Sequence, residues 1–168
     1  MLERKVGFIG SGVMAEALIR GIVETNIIEA KDVYSSDPRE ERREELGQML
    51  GDNVFAKNIQ VINRADVIIL AVKPDILTSV AEEIGGKLEE KHLLVSIAPG
   101  IKLNTLENNF GTARMIRVMP NTPALIGEGA AAYCRGPKAT DKDAETVNQI
   151  LSSVGYCEEI TEKLIEKG

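Results

Sequence analysis

Residues 5 to 15 read Lys-Val-Gly-Phe-Ile-Gly-Ser-Gly-Val-Met-Ala, and they decide the fold. Val6, Phe8 and Ile9 form a short apolar run with Gly7 among them, the pattern of a strand buried on both faces. The run ends in Gly10-Ser11-Gly12-Val13-Met14-Ala15, which fits G-x-G-x-x-(G/A). A helical period follows at once, with Met14, Leu18 and Ile22 at i, i+4 and i+8. Each position of the turn has a physical task. Gly10 permits the tight turn off the strand, Gly12 lets backbone approach a pyrophosphate, and the small Ala15 lets the helix lie close to the strand. The open amides and partial positive charge of the helix start then hold the diphosphate. The bland alternative is a Gly-rich turn that only joins a strand to a helix. The strand–turn–helix context favours the dinucleotide reading.

Outward from this stretch, strand and helix patterns alternate. That order predicts an α/β fold of the Rossmann-like, doubly wound kind, a mostly parallel sheet with helices on both faces. The 168 residues, 43% hydrophobic with a net charge of −6, suit a single dinucleotide-binding domain over 1–168 with a real core. The acidic balance argues against nucleic acid or an anionic membrane as partner. No apolar stretch is long enough to span a bilayer. MLERK runs straight into the first strand, so no signal peptide is expected and a cytoplasmic protein is.

The second strand, at Val33 and Tyr34, ends in Ser35-Ser36-Asp37-Pro38-Arg39. An acid there can take the 2′-hydroxyl of NAD. Asp37-Pro38-Arg39-Glu40 also spells a helix start with Asp at the N-cap. If Asp37 caps, Ser35 and Ser36 face the ribose with Arg39 nearby, a set that suits a 2′-phosphate. NADP is therefore favoured, with NAD possible. The charges from Glu40 to Glu45 read as a solvated face. Residues 65–72 read as a buried strand, followed by Lys73-Pro74-Asp75 and a helix with Ile76, Leu77, Val80, Ala81 and Ile84 on one face. Ala71, Val72, Lys73 and Pro74 thus lie at the carboxyl edge where cofactors sit, although Lys73 reads equally as a surface lysine. A strand over Leu93–Ser96 ends in Ile97-Ala98-Pro99-Gly100 on the same edge, and Leu103, Leu106 and Phe110 mark a helix. A strand over Arg114–Val118 runs into Met119-Pro120-Asn121-Thr122-Pro123, where Asn121 could bond a carboxamide or simply close a turn. Beyond it come a strand near Ala130–Cys134, a helix opened by Thr140-Asp141-Lys142-Asp143 with Ala144, Val147, Ile150 and Leu151 inward, and a strand over Tyr156–Ile160.

Cys134 and Cys157 form no C-x-x-C and are expected as buried, reduced thiols. His92, the only histidine, is expected at the surface in a charged turn. With one histidine and no cysteine cluster, no metal site and no Ser/His/Asp triad are expected.

GFIGSGVMAEALIRG (7–21), AVKP (71–74), VSIAPGI (95–101), RVMPNTPALIGEGAAAY (117–133) and LSSVGYCEEI (151–160) together resemble pyrroline-5-carboxylate reductase. Val13 and Pro99 are small departures from the family's pattern. The resemblance implies an oxidoreductase that passes hydride from NAD(P)H to the cyclic imine 1-pyrroline-5-carboxylate, giving L-proline in the last step of proline biosynthesis. It implies that Gly10, Ser11, Gly12, Val13 and Met14 hold the pyrophosphate. Ser35 and Ser36 would hold the adenosine ribose or its phosphate, with Asn58 near it. Ala71 to Pro74, Ala98 and Asn121 would line the nicotinamide. The family's second, all-helical domain begins just after residue 168 and makes its homo-oligomers, so this chain is expected to carry the cofactor-binding part, poorly active by itself. No catalytic side chain is assigned. A protonated imine is already electrophilic and needs a hydride held close and in line. The competing readings are a stand-alone dinucleotide-binding or sensing module, and a reductase for another small carbonyl or imine.

Overall fold

The computed structural model describes residues 2–120 and 129–167. One eight-stranded sheet organises it. The strands are β1 (Val6–Ile9), β2 (Val33–Ser36), β3 (Val54–Phe55), β4 (Val67–Leu70), β5 (Leu93–Ser96), β6 (Arg114–Pro120), β7 (Gly129–Arg135) and β8 (Gly155–Glu159). Their spatial order is β3-β2-β1-β4-β5-β6-β7-β8. Neighbours from β3 through β6 are parallel, β7 is antiparallel to β6, and β8 is parallel to β7. The first six strands thus have the dinucleotide-fold order, and the predicted mostly parallel sheet is the observed one.

Helices cover both faces. Helix α1 (Val13–Glu24), α2 (Glu40–Leu50) and α6 (Asp141–Ser152) bury Leu18, Ile22, Leu46, Val147 and Ile150 against Val6, Phe8, Val67 and Ile116 on one face. Helix α3 (Asn58–Ile62), α4 (Leu77–Ile84), α5 (Leu103–Phe110) and α7 (Glu162–Lys167) bury Val61, Val80, Leu106 and Ile165 against Ile9, Ile68, Leu94 and Met115 on the other. Strands walled in on both sides must be apolar throughout, which is why they read as runs and not as alternations. Gly7 shows how close the layers lie: a Cβ there would meet Val61 Cγ1 at 2.3 Å.

Two short elements, β3 and α3, carry too few residues to show a period and are not evident in the sequence. Ile76, expected inward, is 44% exposed, because α4 begins only at Leu77. His92 is a correction: it is buried. Its Nδ1 accepts the Glu89 amide at 2.9 Å, and its Nε2 lies 3.1 Å from the Ile62 carbonyl. Those partners suit a ring with its proton on Nε2. The imidazole ties the turn before β5 to the end of α3. Both cysteines are free. Cys134 is buried as expected, whereas Cys157 is only half-buried. No helix among the described residues is long and apolar enough to cross a membrane.

Candidate functional site

Strand order reverses between β1 and β4, and at such a switch point an open α/β sheet leaves a crevice beyond its carboxyl ends. Gly10 begins the turn off β1 with φ +93°, and a Cβ on it would meet the Ala71 carbonyl at 2.7 Å. The backbone of β4's exit therefore requires glycine here. Gly12 is different: a Cβ there would have no neighbour within 4 Å. Its bareness serves no internal contact and leaves room above the helix start. Gly12 caps α1 with no side-chain hydrogen bond, so the first amides of the helix are open to an anion. Ala15 lies beneath, buried against the sheet.

Two clefts meet at this helix start. One, of about 490 Å³, is lined by Gly12, Val13, Met14, Ala15, Ala71, Val72, Lys73, Pro74 and Ala98, together with Pro99, Arg117 and Met119. Among the described residues lining it, Lys73 and Arg117 are the only titratable side chains. Arg117 is buried, and its guanidinium is engaged by Glu162 at 3.2 Å and Glu166 at 3.8 Å on α7. The described lining can position an apolar ring, and among the described residues it holds no general acid–base pair. The second cleft, of about 630 Å³, opens on the other side of Gly12 and Val13 and is bordered by Glu16, Arg39, Glu40, Glu41, Arg42 and Glu45.

At the end of β2 the structure separates the two roles weighed for Asp37. Helix α2 starts at Glu40 with Arg39 in the capping position, so Asp37 is not its N-cap. The buried Asp37 carboxylate accepts the Arg39 amide at 2.8 Å and the Ser11 hydroxyl at 2.6 Å. It also receives the Arg39 guanidinium twice, at 2.9 Å. Burial pushes this carboxyl up, but the Arg39 and Ser11 hydrogen bonds and the Arg39 charge outweigh it and bring it to about 2. Ser35 and Ser36, expected at the ribose, are both fully buried and line neither cleft. Ser36 Oγ donates to Asn58 Oδ1 at 2.7 Å, while Ser35 Oγ has no partner. Asn58 bonds in turn to Glu83. Ser36, Asn58 and Glu83 thus link β2, α3 and α4 through their side chains.

Of the residues expected at the cofactor, Gly12, Val13, Met14, Ala71, Val72, Lys73, Pro74 and Ala98 converge on the first cleft, and Arg39 on the second. Gly10 and the buried Ser11 support the turn from below. Asn121 lies outside the described residues. The sequence reading missed Arg42, whose place in a run of mixed charges gave no signal, and Arg117, a charge within a strand.

Residues 5–100 match the family described as NADP oxidoreductase, coenzyme F420-dependent. The chain belongs to that family. Within it, the resemblance to pyrroline-5-carboxylate reductase is borne out. The Arabidopsis thaliana enzyme of that name is 38% identical over 162 residues, which cover 96% of this chain and 59% of that protein. A pyrroline-5-carboxylate reductase from Coxiella burnetii superposes with a TM-score of 0.93 at 28% identity, covering 99% of this chain and 62% of that one. The Plasmodium falciparum pyrroline carboxylate reductase with NADP bound gives 0.87 at 36% identity, covering 99% and 61%. The chain thus spans about three fifths of the length of these relatives.

Proposed function

We propose that this member of the NADP oxidoreductase family is the coenzyme-binding part of a reductase that converts 1-pyrroline-5-carboxylate to L-proline with NADPH or NADH. One observation carries the dinucleotide reading. The second glycine of the turn is bare toward open space above an uncapped helix start, while the first is bare because backbone presses on it. A turn that only linked strand to helix would need the first and not the second. The likeness to named pyrroline-5-carboxylate reductases supports the substrate.

In this reading the amides from Gly12 to Met14 receive the diphosphate. The Asp37–Arg39 pair stands at the adenosine ribose. Ala71 to Pro74 and Ala98 wall the nicotinamide. The bound coenzyme supplies hydride from nicotinamide C4. The chain's own part is to hold that ring, exclude water with Val72, Ala98 and Met119, and leave the imine carbon in line. A described lining that holds no acid–base pair fits an imine that arrives protonated.

Fluorescence titration with NADPH and with NADH tests the coenzyme, with saturable binding expected for each. NADPH oxidation on adding 1-pyrroline-5-carboxylate tests the substrate. Absence of saturation with both coenzymes overturns the reading.

A further inference from the structure

Arg42 lies in the charge-rich helix α2, yet its side chain is only 14% exposed. It reaches across to the Gly-rich turn. Its Nε donates to the Ser11 carbonyl, and Nη2 approaches the Gly12 carbonyl at 3.5 Å. Its Nη1 donates to Glu16 of α1 at 3.3 Å and to Glu45 at 2.7 Å.

We propose that Arg42 is a positioning residue for diphosphate binding: it holds the Ser11–Gly12 peptide so that the turn's amides face the ligand. This rests on the dinucleotide reading above. The reason is the planarity of the peptide. The described residues contain no cis peptide bond, and in a trans peptide the C=O and the following N–H point in opposite directions. A Ser11 carbonyl drawn to Arg42 therefore turns the Gly12 amide away from α2 and toward the open space over Gly12. The Gly12 carbonyl is already the first acceptor of α1, taking the Glu16 amide at 3.0 Å, so the helix itself orients the Val13 amide and Arg42 acts on the peptide before it.

Arg42 does this as a donor and not as a free cation. Glu16 and Glu45 answer its charge, just as Asp37 answers that of Arg39. With both arginines engaged, the anion must be held by backbone amides and the helix start. Such binding depends on where the amides point. Glycine on both sides of Ser11 makes the turn intrinsically loose, and the guanidinium removes that freedom before the ligand arrives.

The test compares the unsubstituted chain with Arg42→Gln and Arg42→Lys. NADPH is titrated by fluorescence, and adenosine 2′-monophosphate, which lacks the 5′ phosphate, by displacement of NADPH. Losing a charge-assisted hydrogen bond that orders the cradle is expected to raise the NADPH Kd about tenfold in Arg42→Gln. The Kd of adenosine 2′-monophosphate is expected to stay within about twofold, because that ligand makes no diphosphate contact. Arg42→Lys keeps the charge and the stem but loses the planar fork. It is expected to show the same selective loss, about fivefold, and carries the test if Arg42→Gln does not fold. Unchanged NADPH binding, or equal weakening of both ligands, overturns the proposal while leaving the dinucleotide reading intact. No NADPH saturation of the unsubstituted chain overturns both.

Discussion

Gly10 and Gly12 stand two residues apart and answer to different constraints. Gly10 has a left-handed φ and backbone pressed against it. Gly10→Ala is expected to cost about 1–3 kcal/mol of stability, read as a lower urea midpoint. Gly12 points into empty space. Gly12→Val is expected to change stability by about 1 kcal/mol or less and to weaken NADPH more than about tenfold by filling the diphosphate cradle. The pair of measurements separates a structural glycine from a ligand-facing one. Asp37 offers a second contrast. Its carboxylate occupies both prongs of Arg39, so the 2′-phosphate of NADPH must compete for that guanidinium. Asp37→Asn frees Arg39 and is expected to raise the NADPH-to-NADH affinity ratio about tenfold. Because the carboxyl is held at about 2, Asp37 adds no pH dependence to that ratio in the unsubstituted chain. The ratio is expected to be flat between about pH 7 and pH 9 and to change only below, where the 2′-phosphate itself takes up a proton near about pH 6.

Helix α6 is fastened at the opposite edge of the sheet from the clefts. Thr140 and Asp143 form a reciprocal capping box, Thr140 Oγ1 accepting the Asp143 amide and Asp143 accepting the Thr140 amide. The same buried carboxylate receives Arg4 at 3.0 Å, from the residues before β1, and Arg114 at 2.7 Å, from the start of β6. Burial pushes the carboxyl up, but the Arg114, Thr140 and Arg4 hydrogen bonds prevail and hold it well below the usual carboxylate range. A carboxylate lowered on folding adds stability that is fully present above its unfolded value, near about pH 4, and is lost as pH falls through the folded value. Asp143→Asn is therefore expected to cost about 2–3 kcal/mol at neutral pH and to flatten the decline of stability below about pH 4. Denaturant midpoints measured across that range check both. The sequence marked the helix start at Thr140-Asp141-Lys142-Asp143, but not the arginines, which come from the start of β6 and from the segment before β1, 29 and 139 residues away.

Across the whole molecule, thiol accessibility reports opening of the sheet. Burial pushes the Cys134 thiol up to about 11, with Glu162 adding to the effect, and β7 encloses it. Burial also raises the Cys157 thiol, but that residue is half-buried. A thiol reagent at neutral pH is expected to modify Cys157 first and to reach Cys134 only as fast as the fold opens. Mass spectrometry of the labelled chain over time gives that order. Equal rates would mean that the two faces of the sheet open together. What the sequence determined by itself was local: β1, the Gly-rich turn and α1 are contiguous, and apolar runs alternating with helical periods require a sheet covered on both faces. Periodicity is a property of neighbours along the chain, and it survives without coordinates. The tertiary structure alone decided the antiparallel step from β6 to β7, the burial of His92, the withdrawal of Ser35 and Ser36 from the crevice, and the pairing of Arg42 with the Ser11 carbonyl. Each depends on which distant backbone arrives beside a side chain. That outcome is set by strand order and the close approach of the layers, and no local pattern of residues encodes it.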